Sequence, residues 1–404
     1  MSNDVLKNGV FMEKINLFSN NINSFGKCIT REMSVKATEL SALNLAQGFP
    51  EDDPPSEMLE EAIKAIRGHR NYYADMRGDP LLREAIALYA ERFSKLKVDP
   101  IKEVTVTCGA TEAMIISLLS LINPGDEVIL FEPWYENYLA QTILSSAVKK
   151  YYLLEPPNFI IDKDKLEKIF SSKTKAIIIN TPNNPTGRVF NKQELQIIAD
   201  LCIKYNVIAI SDEIYQHIIF DGNEHISIAS LDGMYERTIT INGISKAFAS
   251  TGWRVGWAIA NPEITNALRR VHDFITATVP TPFQLAAIKG LNLPDSYFNN
   301  LVELYTHKRT ILSEGLMELN LSFLIPEGTY YILADISNLN FNSSDTLTDT
   351  LLHDAGVAVV PGSAYYQNKL FKDKYVRITF SKDLDTIKKA IIRLKEWYLK
   401  TKLR

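Results

Sequence analysis

From about residue 103 onward, short apolar runs rich in β-branched residues alternate with longer stretches of helical periodicity. No other feature restricts the fold so tightly. EVTVT gives way to ATEAMIISLLSLI, and that to EVILF; AIIIN, VIAIS, TITIN and VGWAIA follow, with KQELQIIADLCIKY between two of them. Runs of this length and composition are strands, and the intervening periodicity is helical. Their alternation predicts an α/β architecture with a mostly parallel sheet. Upstream, Ser56 opens the helical stretch SEMLEEAIKAI, which Gly68 closes. Asp79-Pro80 supplies an N-cap and a first-turn proline for LLREAIALYAERF. The first forty-odd residues are polar and Asn/Ser-rich, and they read as an irregular arm leading to a packed start. After about residue 290 the texture changes: a long helical segment precedes TYYILADIS, and YVRITF alternates like a half-buried strand. A second, smaller α+β domain is expected there, with the arm packed against it.

A length of 404 residues fits two or three domains. At 46% hydrophobic and 23% charged residues, the chain can bury a large core without a disulfide or a metal. Its net charge of −4 is spread along the chain, which argues against nucleic acid or an anionic membrane as partner. Cys28, Cys108 and Cys202 are far apart and odd in number. They form neither a metal-ligand cluster nor a disulfide framework, so a reducing cytoplasm is expected. The opening MSNDVLKNGVFMEK lacks the apolar core of a signal peptide, and no apolar run is long enough to span a bilayer.

Ligands of open parallel sheets collect beyond the carboxyl ends of the strands, and chemistry-bearing residues cluster at such ends here. Asn184 lies in NTPNNPTG after AIIIN. Asp212 and Tyr215 lie in SDEIY after VIAIS, and Lys246 lies in NGISKAF after TITIN. Gly109, Ala110 and Thr111 join EVTVT to a helix, and Arg254 follows Lys246 by eight positions. A cofactor that combines an aldehyde, a pyridine and a phosphate needs this set. A lysine forms a Schiff base with the aldehyde once its amine loses a proton. A carboxylate keeps the pyridine nitrogen protonated, so that the ring accepts electrons. An amide and a phenol hydrogen-bond the ring oxygen. The phosphate wants backbone N–H groups at a helix start and a fixed cation. Taken singly, each residue has an ordinary reading: a solvated lysine, a capping aspartate, an Asn-Pro turn, a surface arginine. Their joint occurrence, in order and each at a strand end, argues for the site.

NTPNNPTG, SDEIY and SKAFASTGWRVGW together resemble the pyridoxal-phosphate-dependent aminotransferases of fold type I, class I/II. The likeness runs from NLAQGFP near residue 44 to YVRITFS near 381. NLAQGFP, EGTYYILADIS and VRITFSKD are most similar to the kynurenine, glutamine and methionine aminotransferase group. The resemblance implies a large cofactor domain over 45–290 with a seven-stranded type of sheet. It also implies a small domain from 1–44 and 291–404, and a homodimer with sites at the subunit boundary. It implies pyridoxal 5'-phosphate as cofactor, an amino acid and a 2-oxo acid as substrates, and no metal.

The resemblance further implies that Tyr135 stacks on the cofactor ring and that Tyr73 reaches the phosphate in the neighbouring subunit. By the same resemblance Gly48 would lie beside the substrate carboxylate, Asn184 would face it as well, and Arg377 would fork onto it. Arg377 is off the apolar face of Val376 and Ile378, which by itself fits a solvent-facing charge equally well. The sequence departs from the family in three places. Gly243 stands where many relatives have a phosphate-contacting serine, leaving Ser245 beside the lysine, and Thr111 stands where some acid-preferring relatives have a lysine. Arg77, in ADMRG, stands where relatives often have a small or neutral residue, and is either a substrate contact or an interface or surface residue. A neutral, apolar or aromatic amino donor is expected. The rival readings are a carbon–sulfur lyase or another enzyme on the same scaffold, and a regulatory binding domain.

Overall fold

The computed structural model describes residues 19–402. Among these, thirteen strands occur in chain order: β1 (Leu43–Asn44), β2 (Val104–Cys108), β3 (Glu127–Glu132), β4 (Val148–Leu153), β5 (Thr174–Asn180), β6 (Ile208–Asp212), β7 (Thr238–Gly243), β8 (Val255–Ile259), β9 (Ser322–Phe323), β10 (Tyr331–Asp335), β11 (Val357–Ala358), β12 (Val360–Pro361) and β13 (Tyr375–Thr379). Seven of them form one sheet in the order β2-β8-β7-β6-β5-β3-β4. It is parallel from β4 through β7; β8 alone runs antiparallel, to β7 on one side and β2 on the other.

Helices cover both faces of this sheet, so its central strands are apolar on both sides. Ile177, Ile178 and Ile179 of β5 are all buried. Burying such a side chain stabilises by about 1.5–3 kcal/mol, and that anchorage holds still the polar residues that follow, Asn180 to Thr186. The helix Lys192–Tyr205 opens with a capping box: the Asn191 side chain accepts from the Glu194 N–H, and the Glu194 carboxylate accepts from the Asn191 N–H. Asp79 caps the helix Pro80–Ser94 by accepting from the Leu81 N–H.

A four-stranded antiparallel sheet, β12-β13-β10-β9, lies beyond the carboxyl edge of the large sheet, and β1 pairs with β11 in parallel. The segment after β1 is pinned between these: the Leu45 N–H donates to Ala358 O at 2.9 Å, and the Thr379 N–H donates to Leu45 O at 3.0 Å. The chain therefore reaches Gly48 in a fixed place between the two sheets.

The expected irregular arm needs correction. Residues 1–18 lie outside the described residues, but Ile29–Glu39 is an α-helix. Ile29, Met33 and Ala37 recur every fourth position, and Met33 and Ala37 are buried. That single narrow stripe is hidden among polar residues, and packing supplies what composition does not.

Candidate functional site

The strand register, not sequence proximity, assembles the site. β2, β5, β6 and β7 all point their carboxyl ends to the same edge of the sheet. Asn180 pairs with Asp212 in the register of β5 and β6, and Gly243 ends β7, three positions before Lys246. Cys108 pairs with Val255, so Arg254 arrives directly beside Gly109. A cavity of about 500 Å³ opens here, between the large sheet's edge and β10 and β13 of the small one.

Lys246 Nζ donates to Gly48 O at 3.1 Å and lies 5.7 Å from the ring centres of Tyr215 and Tyr330. Burial, with Arg377 and Arg254 adding repulsion, brings its amine down to about 7. Such a lysine is largely neutral just above neutral pH. Asp212 is buried and accepts from the Tyr138 hydroxyl at 2.8 Å and from the Ile214 N–H at 3.2 Å. Burial nonetheless raises its carboxyl to about 6, because those two donors do not replace a cation. Tyr215 hydrogen-bonds Tyr331 across the cavity at 3.2 Å between their hydroxyls, and burial raises its phenol well above the usual range.

Arg377 settles the question left open by its strand position. It is 1% exposed, faces inward from β13, and donates to Asn184 Oδ1 at 2.8 Å and Ala46 O at 2.7 Å. Its guanidinium lies over the Tyr331 ring at 4.2 Å and near the Tyr365 ring at 5.0 Å. Its Nε is buried without an acceptor. Among the described residues no carboxylate lies within 4.0 Å of Arg377, Arg254 or Lys246. A buried cation without a partner is costly, and this one is aimed into a cavity. Arg254 donates to Thr251 O at 3.0 Å and to Cys108 O at 3.4 Å, and it sits over the start of the helix Gly109–Leu121. The first-turn N–H groups of that helix have no acceptor one turn back. Gly109 is required at this point: its φ is +73°, and a Cβ there would overlap the Arg254 guanidinium.

Gly48, Phe49, Ala110, Thr111, Tyr135, Asn184, Asp212, Tyr215, Ser245, Lys246, Arg254 and Arg377 all line this one cavity. Gly109 lies beneath Arg254 rather than on the wall. Tyr73 is not brought to the cavity of its own chain and is 84% exposed. Arg77 is likewise outside it: its Nε and Nη2 fork onto Asp75 at 2.9 and 2.5 Å. Gly243 has a packing reason for its departure from serine, since a Cβ would stand 2.8 Å from Val255 O and 3.0 Å from the Gly256 Cα.

Sequence reasoning missed several wall residues. Tyr138 follows Tyr135 by three positions, the spacing that puts two residues on one helix face, and this was the available signal. Tyr331 lies in TYYILADIS at the start of β10; its hydroxyl and that of Tyr330 both donate to Gly48 O, at 3.4 and 3.1 Å, so strand alternation would not have told the two apart. Thr30, Arg31 and Glu136 also line the cavity. The first two went unseen because their segment was read as irregular.

A family model described as aminotransferase class I and II matches residues 41–394. A probable N-succinyldiaminopimelate aminotransferase of Mycobacterium tuberculosis is 37% identical over 92% of this chain and 96% of its own length. A kynurenine–oxoglutarate transaminase of Dictyostelium discoideum is 35% identical over 94% and 96%. The solved N-succinyldiaminopimelate aminotransferase from Mycobacterium tuberculosis superposes with a TM-score of 0.91 at 37% identity, covering 93% of this chain and 99% of that one.

Proposed function

The chain belongs to the class I and II aminotransferases, and from that premise we propose that its inter-sheet cavity is the active site, with Lys246 as the residue that carries the cofactor. The protein is a fold-type-I, pyridoxal-phosphate-dependent enzyme that moves an amino group from an amino acid to a 2-oxo acid. One observation carries the site assignment: a lysine poised near neutrality shares a cavity with a buried, unpaired carboxyl and a buried, unpaired arginine.

The donor set fits the cofactor. Asp212 lacks the cation that a protonated ring nitrogen provides. Arg254, with Ser245 and the N–H groups of Ala110 and Thr111, would hold the phosphate, and Tyr135 would wall the ring. Asn184 and Tyr215 would hold its oxygen, and Tyr73 from a second copy would add to the phosphate site. When bound, pyridoxal phosphate supplies an aldehyde for an amine and a ring that takes up the electron pair left as the adjacent C–H bond breaks.

The chain's own residues do the rest. Arg377, supported by Asn184 and with Gly48 alongside, orients the substrate by its carboxylate. Lys246 Nζ, neutral, takes the proton from the substrate's α-carbon and would hand it on to the cofactor carbon that keeps the amino group. Tyr215, kept protonated, donates without losing its charge state.

The same reading takes residues 45–290 as the cofactor domain, with 1–44 and 291–404 as the small domain, and the active form as a homodimer. Its compartment is the cytoplasm, which suits three free cysteines. Among the described residues no helix is long and apolar enough to cross a membrane.

The direct test is borohydride reduction of the holoenzyme followed by peptide mapping. The label should fall on Lys246, and Lys246→Ala should fold, take no label and lose turnover by several orders of magnitude. A label on another lysine would overturn the assignment. For the donor, we read a neutral side chain: Phe49, Tyr135 and Tyr331 wall the cavity, Thr111 offers no charge, and Arg77 is engaged elsewhere. Methionine, glutamine, leucine or an aromatic amino acid should exceed aspartate in kcat/KM. Aspartate as the best donor would refute this.

A further inference from the structure

Behind the cavity wall a carboxylate and an imidazole are paired where packing alone does not call for them. Glu112 stands in the first turn of the helix Gly109–Leu121, and His272 in the last turn of the helix Pro262–Ile275. They are 6% and 0% exposed, and neither lines the cavity. Glu112 Oε1 lies 2.7 Å from His272 Nδ1, and Glu112 Oε2 accepts from the Cys108 N–H. Burial works against the charge of Glu112, yet the His272 and Cys108 donors hold its carboxyl below the ordinary value. A carboxylate only accepts, so Nδ1 carries a proton; Nε2 is buried with no partner among the described residues. The two helices otherwise share one apolar cluster, with Ala113 and Met114 from the first and Ile264 and Leu268 from the second. An apolar pair in place of a buried polar one is often neutral or stabilising, so stability does not account for Glu112 and His272.

What Cys108 joins gives the reason. It ends β2 and is the N-cap of the helix on which Ala110 and Thr111 line the cavity, and its own side chain makes no capping bond. Its backbone is held instead: Arg254 donates to Cys108 O at 3.4 Å, and Glu112 accepts from the Cys108 N–H. On the β8 side, a Cβ on Gly256 would stand 2.5 Å from Gly109 C and 2.6 Å from Ala110 N, so that strand already touches the turn. With Gly256 against one side and Cys108 held at both its polar groups, the free N–H groups of the first turn keep one direction. His272 in turn keeps the Glu112 carboxylate behind the wall. An acid free to swing into the cavity at this helix end would repel a bound phosphate.

We propose that Glu112 and His272 are positioning residues for the cofactor's phosphate, acting through the Cys108 backbone to aim the N–H groups of Ala110 and Thr111. The inference rests on the active-site reading above and adds to it two residues that touch neither cofactor nor substrate. Because they act on the helix start alone, their effect falls on the phosphate and not on the ring or the aldehyde. Loss of one buried hydrogen bond to a charged group corresponds to about tenfold in affinity.

The test isolates what the phosphate contributes. Holoenzyme is converted to its amine form, dialysed free of cofactor, and titrated with pyridoxal 5'-phosphate and with pyridoxal, binding being followed by absorbance. The Kd for pyridoxal divided by that for pyridoxal 5'-phosphate should fall about tenfold in His272→Leu, while pyridoxal itself binds within about twofold of wild type. His272→Asn, whose amide N–H can stand in for Nδ1–H, should keep the ratio within about threefold of wild type. Glu112→Met removes the acceptor of the Cys108 N–H from the other side and should match His272→Leu; it decides the matter should the histidine variant not fold. An unchanged ratio, or equal weakening of both ligands, would overturn the proposal; the second result would mark the pair as a support of helix packing alone. A ratio near one in the wild type would instead strike the phosphate site of the active-site reading, before any variant is compared.

Discussion

Lys246 makes its own electrostatic cost measurable. The ordinary lysine value is 10.5 and the folded protein lowers it to about 7. Between those values the unfolded chain holds a proton that the folded chain does not, so folding stability rises with pH across about pH 7 to 10.5. Below pH 7 the penalty is full. Asp212 does not disturb this window, because its own titration, raised to about 6, is complete beneath it. Cofactor-free protein should therefore show a urea midpoint that climbs from pH 7 to about 9, above which the buried Cys202 thiol, pushed up to about 12, works against it, and Lys246→Met should flatten the climb. A flat wild-type profile would contradict the burial of the amine. The residue types at the strand ends were legible from sequence because the chemistry needs all of them together. The burial of Arg377 was not, since strand alternation gives a side and not what covers that side.

At the scale of elements, the loop that carries Asn184 is held by a buried fork. Arg188 bonds Glu194 at 2.7 and 2.8 Å and Glu327 at 2.9 and 3.1 Å, and Glu327 also accepts from the Val189 N–H at 2.9 Å. Removing one partner of a buried pair leaves the others uncompensated, at about 3–5 kcal/mol. Arg188→Met should lower stability by about that amount in urea unfolding and raise KM, because Asn184 supports Arg377. A variant with wild-type stability would remove the fork from this role. The apolar strands and the capped helices could be read directly from sequence. β4 could not: VKKYYL carries two lysines on an edge strand with an exposed side, so it lacks the apolar signature of its neighbours. The helix Ile29–Glu39 escaped for the related reason that only two of its residues are buried.

At the scale of the whole molecule, the exposed apolar residues bear on assembly. Phe274 is 93% exposed, Tyr73 84%, Tyr72 62% and Met76 50%. Tyr72 O accepts from the Thr281 hydroxyl at 2.6 Å, which ties the Tyr72–Met76 segment to the chain just beyond Phe274 and Ile275. Apolar side chains of this size left in water are what an interface covers, and a second copy covering them accords with the proposed homodimer. Sedimentation should find a dimer for the wild type, and Phe274→Asp should weaken it by at least about tenfold in dissociation constant. A wild-type monomer would refute the dimer. Within one chain, Lys246 projects from the large sheet while Arg377 projects from the small one, and together they set the substrate's α-carbon against the amine as work is set in a caliper. The jaws are set by bonds that never touch the substrate, such as Arg188 to Glu327 and Leu45 to Thr379. Substitutions along that seam should therefore act as changes of gauge, shifting how well the α-carbon meets the amine for every substrate alike while leaving the reacting groups themselves intact.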